Sequence, residues 1–281
     1  MARAGLLGAE PTVVTFAQHP KAVLLGRAPR TLTTLEHKLA LLWRAGIRHV
    51  VVLTFNEELR DTTADDFSER ILERGLGTRG FVLGFDSKFG KDRLGGPASL
   101  EARGHDVEMA PKVMLGQRAV SSTVIRESVE LGDLAGASRM LGRPVTIYGE
   151  VVMGEALGRR LGFPTANLDL LHELRPPEGV YACRAHVVPP PSEGGAPDPR
   201  ERVGSFDAVA NIGRRPTVAT EGAGPLVEVH LLDFEGDLYG QRIELEFAER
   251  LRAEVKFGSL DELQAAITAD VERARAVLSR G

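Results

Sequence analysis

A single cysteine, Cys183, is the only thiol among 281 residues, which excludes an intramolecular disulfide and any zinc site built on several cysteines. It sits in the apolar run VYACRAHV, the setting of a buried structural thiol rather than of a nucleophile. Long apolar runs are also missing, and nothing approaches the roughly 20 residues that span a bilayer. The first residues, MARAGLLGAEPTVVTF, carry one arginine and a few apolar residues before a strand, too little for a signal peptide. The expected location is cytoplasmic, with no membrane partner. An excess of one charge is absent too: a formal net charge of −4 gives a phosphate backbone no general electrostatic reason to bind, so nucleic acid is not an expected partner.

What is present suits two domains, since a chain of this length can bury a core in each half. From Thr12 to about Met140, short β-branched runs alternate with helix-like segments. TVVTF (12–16), HVVVLTF (49–55) and GFVLGF (80–85) read as strands; LTTLEHKLALLWRAG (32–46) and TADDFSERILERGL (63–76) read as helices. Apolar strands separated by helices predict a doubly wound α/β domain with a parallel sheet covered on both faces. SSTVIRESVELGDLAGASRMLGR (121–143) predicts two helices with a Gly-Asp break. Pro144 then opens a different pattern of short β runs: VTIYGEVVM, GVYACRAHVV, FDAVANIG, LVEVHLLDF and QRIELEF. Their spacing predicts an antiparallel barrel or sandwich. The boundary is expected near 141–146, giving domains 1–143 and 144–281. PPPSEGGAPDPRERVG (189–204) is too polar for a core and reads as an elongated loop. SLDELQAAITADVERARAVLSR opens with a Ser259–Glu262 capping box and predicts a long closing helix.

The segment GEALGRRLGFPTAN (154–167) spaces Gly154, Gly158 and Gly162 four apart and ends in a compact Pro-Thr-Ala-Asn turn. Such glycines let backbone N–H groups approach a polyphosphate, and the hydroxyl of Thr165 and carboxamide of Asn167 are hard oxygen ligands of the kind Mg²⁺ accepts beside phosphate oxygens. Neither a P-loop nor a dinucleotide fingerprint is present, and spacing alone suits a glycine-rich hairpin equally well. In LVEVHLLDF, alternation puts Val227, Val229 and Leu231 on one side and Glu228, His230 and Leu232 on the other. Glu228 there reads either as a solvated outer-face residue or as a carboxylate able to take a hydroxyl proton.

GRRLGFPTANLDL closely resembles the nucleotide-binding segment of the bacterial riboflavin kinases, and the likeness continues in register to the C-terminus. PEGVYAC (177–183), VANIGRRPT (209–217), VEVHLLDFEGDLYG (227–240) and RAEVKFGSL (252–260) are similar to further segments of that family. The resemblance implies an antiparallel β-barrel kinase domain with a C-terminal helix that phosphorylates riboflavin to FMN with ATP and Mg²⁺. It implies Gly154, Gly158 and Gly162 against the ATP phosphates, Thr165 and Asn167 near the metal, and Glu228 as catalytic base. It also implies Arg252 and Phe257 near the flavin ring. His230 reads as structural, with no chemical step carried over to it. The remaining alternative is a flavin-binding or regulatory protein without chemistry. Oligomeric state is not legible.

In bacteria this kinase is commonly fused to an N-terminal nucleotidyltransferase-like domain that adenylylates FMN to FAD. The N-terminal half resembles it through TVVTFAQHP, LTTLEHKLALL, GFDSKFGK and VSSTVIRE. Ser121, Ser122, Thr123 and Arg126 match its Ser-Ser-Thr-x-Ile-Arg motif, whose hydroxyls, helix N-terminus and arginine can hold ATP phosphates. The family's first strand and its His-x-Gly-His loop have no counterpart here, and His19 belongs to a different strand end. The expectation is a start codon assigned too far downstream, with FMN synthesis retained and FAD synthesis lost in the chain as it stands.

Overall fold

Strand pairing and helix caps are described in a computed structural model covering residues 1–26, 28–154, 162–170, 173–188, 202–213 and 226–280. Contacts divide the chain into two units, Met1–Pro29 with Leu41–Val120, and Arg30–Ala40 with Ser121–Gly281.

In the first unit, β1 (Thr12–Phe16) pairs in parallel with β2 (His49–Leu53), and β3 (Gly80–Gly84) in parallel with β4 (Asp106–Ala110). The short β5 (Met114–Leu115) and β6 (Arg118–Ala119) pair antiparallel. Helices α1 (Ala2–Leu6), α2 (Pro20–Leu25), α4 (Glu57–Asp61), α5 (Ala64–Asp66) and α6 (Pro97–Ala102) alternate with them, while α3 (Leu35–Arg44) has its first residues, through Ala40, in the second unit. β4 escaped the sequence pattern because DVEMA carries two acidic residues in five. The helix expected over 63–76 starts at α5, capped by the Thr63 hydroxyl. It continues as a π-helical stretch, Phe67–Gly75, whose wider turn brings Phe67 and Leu72 onto one buried face with Phe81 and Leu100. The pairing is parallel, as expected of the α/β domain, and among the described residues it forms two separate two-stranded sheets. Two-stranded layers leave Val14, Val52, Val82 and Met109 exposed.

The second unit is built on α7 (Ser122–Glu130), α8 (Leu134–Leu141), β7 (Thr146–Val152), β8 (Ala166–Asp169), β9 (Gly179–Val188), β10 (Gly204–Gly213), β11 (Leu226–Leu231), β12 (Arg242–Arg252) and α9 (Leu260–Leu278). The break between α7 and α8 is where Gly132 takes a positive φ of 81° and Asp133 caps α8 by accepting the Gly136 N–H. The six strands close into a barrel in the order β10-β11-β8-β7-β12-β9. Closure is written in the alternation. Leu168, Val227 and Ile212 form one inward row; Val229, Ala210 and Tyr181 form the next; Leu231, Ala208, Cys183 and Phe247 form a third. All are buried, and each full-sized apolar member contributes roughly 1.5–3 kcal/mol.

On the outer face, α9 covers Val180, Ala182, Val209 and Leu232 with Ala274 and Leu278. Its start follows the expected cap: Ser259 Oγ accepts the Glu262 N–H at 3.2 Å, and the Glu262 carboxylate accepts the Gly258 N–H at 2.8 Å. The compact turn expected over Pro164–Asn167 is corrected. Asn167 belongs to β8 and pairs with Glu228 on one side and Val152 on the other, so only Pro164, which lacks an N–H, and Thr165 stand outside the ladder. The loop expected over 189–204 lies largely outside the described residues, as does Gly158.

The start of α3 is tied to the barrel by buried polar groups. His37, fully buried, has Nδ1 2.9 Å from Glu173 Oε1 and Nε2 3.4 Å from Glu244 Oε1, and its ring stacks on Tyr148 with centroids 5.3 Å apart. Glu173 also accepts the backbone N–H groups of Thr34 and Tyr148, and Glu244 accepts from Arg202. Beside them, the Tyr148 hydroxyl and Arg242 both donate to Glu36.

Candidate active site

Because β-strand side chains alternate, packing Val227, Val229 and Leu231 into the barrel forces Glu228 and His230 outward, toward α9. Glu228 stands directly opposite Asn167 on β8 and Asn211 on β10, so three polar side chains share one row across three neighbouring strands. The row continues through Val180 to Arg252. A cleft of about 280 Å³ opens over it, between the outer barrel face and α9. Glu228, Asn211, Thr165, Arg252 and Phe257 all line this cleft, and Val180, Val209, Leu263 and Ile267 supply an apolar side.

Asn167 is buried beside Glu228, and a Cβ at Gly154 would collide with its carboxamide. Gly154 is therefore a place where β7 runs out directly against Asn167, and any side chain there displaces the amide. Gly162 has φ of 84°, a left-handed conformation that suits glycine, just before the Phe163–Thr165 turn. Arg252 is committed: its Nε and Nη2 pair with the buried Asp270 of α9, Nη1 donates to the Ala253 carbonyl, and the guanidinium lies 5.5 Å from the Phe257 ring centroid. Arg273 also donates to Asp270, so one buried carboxylate is neutralised by two guanidinium groups. His230 Nδ1 donates to the Pro164 carbonyl at 2.8 Å.

Six of the residues singled out from sequence thus gather at one place: Thr165, Glu228, Arg252 and Phe257 in the cleft, Asn167 and Gly154 at its edge. The serine-rich motif does not join them. Ser121 caps α7 by accepting the Val124 N–H, and Arg126 Nε donates to the Arg30 carbonyl at 2.9 Å; neither these nor Ser122 and Thr123 line the cleft. Sequence reasoning missed Asn211 and Asp270. Asn211 lay in the quoted VANIG run, but only strand register reveals that it sits beside Glu228. Asp270 occupies the stripe 270/274/278 that α9 buries; a carboxylate at that spacing was the available signal.

The donor chemistry fits a hard cation brought in with a phosphate ligand. A hydroxyl, a carboxamide and a carboxylate gather there, all oxygen ligands. No group of three histidines, cysteines or acids among the described residues could cage an ion without help.

Comparison with known proteins gives the family. The riboflavin kinase family profile matches residues 141–278, and that of FAD synthetase matches residues 2–124. Over 279 residues the chain is 39% identical to the bifunctional riboflavin kinase/FMN adenylyltransferase of Pseudomonas fluorescens, spanning 98% of this chain and 85% of that protein. The chain belongs to the bifunctional riboflavin kinase/FMN adenylyltransferase family. A second family member, from Bacillus subtilis, is 32% identical over 277 residues, 95% of this chain and 82% of its own length. Among solved structures, a protein from Streptococcus pneumoniae described as a macrolide-efflux protein superposes with a TM-score of 0.80 at 28% identity, covering 98% of this chain and 86% of that one. No helix among the described residues of the present family member is long and apolar enough to cross a membrane.

Proposed function

We propose that this chain transfers the γ-phosphoryl group of ATP to the ribityl 5′-hydroxyl of riboflavin, releasing FMN and ADP, in the cleft between the barrel and α9. The observation that carries the reading is the row Asn167–Glu228–Asn211 with Thr165 beside it. Glu228 accepts the hydroxyl proton as the new O–P bond forms. Thr165 and Asn167 would hold Mg²⁺ together with the ATP phosphates, and the ion would supply neutralisation of charge on the phosphate oxygens. Gly154 and Gly162, with Gly158 between them, let the chain approach those phosphates closely. Phe257, Arg252 and the apolar wall of Val180, Val209, Leu263 and Ile267 receive the flavin ring, a planar apolar body with polar edges. In this reading residues 144–281 carry the kinase.

A second activity is favoured by the FAD synthetase match at residues 2–124: adenylyl transfer from ATP to FMN by residues 1–143, with Ser121, Ser122, Thr123 and Arg126 toward the nucleotide phosphates. One incubation reads both. Purified chain, riboflavin, ATP and Mg²⁺ are combined and the flavins separated by chromatography. An FMN peak supports the kinase, an FAD peak supports adenylyl transfer, and neither peak with retained flavin binding supports a binding protein without chemistry. Glu228→Gln is expected to lower kcat by about 10²–10⁴-fold while flavin binding persists; near-normal turnover refutes the base.

A further inference from the structure

The backbone ladder between β8 and β11 runs out at the pair Ala166–Val229. One step further, Thr165 leaves the strand and enters the cleft, preceded by Pro164, which has no N–H with which to continue the ladder. At this point His230 takes over. Its Nδ1 lies 2.8 Å from the Pro164 carbonyl oxygen, and its ring meets Phe163 edge-on, with centroids 5.6 Å apart at 86°. A carbonyl only accepts, so Nδ1 carries a proton in the neutral and in the cationic imidazole alike. His230 sits two residues from Glu228 on the same outward face of β11. Its side chain therefore joins the strand that bears Glu228 to the turn that bears Thr165.

We propose that His230 is a positioning residue for phosphoryl transfer: by clasping the Phe163–Pro164 segment it holds Thr165 in the cleft beside Glu228, where the metal-bound nucleotide is received. The inference rests on the kinase reading above for the role of Thr165. It assigns His230 no proton transfer with substrate, because the nitrogen fixed by the structure is occupied by Pro164. Without the clasp the turn loses its tie from the His230 side chain beyond the last ladder pair, Ala166–Val229, and the oxygen of Thr165 must be ordered at the expense of nucleotide binding. A single side-chain hydrogen bond of this kind corresponds to about a five- to tenfold change in affinity.

The test compares His230→Leu with His230→Asn in the full chain. Leucine removes the donor; the asparagine amide nitrogen occupies the place of Nδ1 and can still donate to Pro164. KM for Mg-ATP, KM for riboflavin and kcat are measured, together with the Kd of Mg-ADP by calorimetry, which needs no turnover. His230→Leu is expected to raise KM for Mg-ATP and Kd for Mg-ADP by about five- to tenfold, with KM for riboflavin unchanged, and His230→Asn to restore most of the loss. Phe163→Leu, which leaves β11 intact, is expected to weaken nucleotide binding in the same selective way. The proposal is overturned if His230→Leu leaves nucleotide affinity unchanged, if both substrates weaken equally, or if kcat collapses and asparagine does not rescue it. Should the parent chain bind Mg-ADP with this mutant pattern yet make no FMN, the kinase reading falls and the clasp stands. Should it not bind Mg-ADP at all, both fall.

Discussion

Replacing His37 by leucine removes the only imidazole between two buried carboxylates. Glu173 and Glu244 have almost no exposed side-chain surface, and breaking a buried ionic contact by deleting one partner costs about 3–5 kcal/mol. The lower end applies, because Glu173 keeps two backbone N–H donors and Glu244 keeps Arg202 at 2.9 Å. A loss of about 3 kcal/mol corresponds to a fall of roughly 6–12 °C in the Tm of a unit of this size. The pH dependence has a definite sign. Burial opposes the charged imidazole, but the hydrogen bonds and charges of Glu173 and Glu244 outweigh it and hold the His37 pKa above its ordinary 6.5. The folded state therefore binds the proton more tightly than the unfolded chain. The stabilisation is complete below about pH 6.5 and drains away as pH rises through the raised folded value. Scanning calorimetry of the full chain between about pH 6 and 9 is the assay. The wild type should lose part of its margin over His37→Leu as pH rises. A variant melting within about 2 °C of wild type, or the same pH slope in both proteins, would refute the reasoning.

Other substitutions separate the cleft's two sides. Gly154→Ala drives a Cβ into the Asn167 carboxamide; since the amide can swing aside, Tm should change little while KM for Mg-ATP rises several-fold, read by steady-state kinetics. Asp270→Asn weakens the carboxylate that holds Arg252 and Arg273, with an expected loss of about 1.5–3 kcal/mol by urea denaturation and a raised KM for riboflavin but not for ATP. Cys183 is fully buried inside the barrel and burial pushes its thiol pKa well up. It should resist thiol reagents in the native chain and react on unfolding, and rapid native labelling would refute its placement.

Periodicity was enough to read much of this protein. The alternation in LVEVHLLDF assigned the two faces of β11, the capping box located the start of α9, and the Gly-Asp break separated α7 from α8, because each depends on neighbours within one or two turns. The polar types Thr165, Asn167 and Glu228 were legible as candidates for the same reason that resemblance found them: the chemistry demands oxygen ligands and a carboxylate. Pairing across strands was not legible. The register that sets Glu228 between Asn167 and Asn211, and the extension of β8 into what read as a turn, depend on residues some sixty and seventeen positions away from Glu228. Likewise the division of the expected parallel sheet into two pairs follows from which strands hydrogen-bond, and no local run encodes that. Local sequence determined the elements, their faces and the kinds of side chain on them. Tertiary structure decided which of those side chains meet, because a strand's partners, a buried carboxylate such as Asp270 and the clasp of His230 on Pro164 exist only once distant segments have packed.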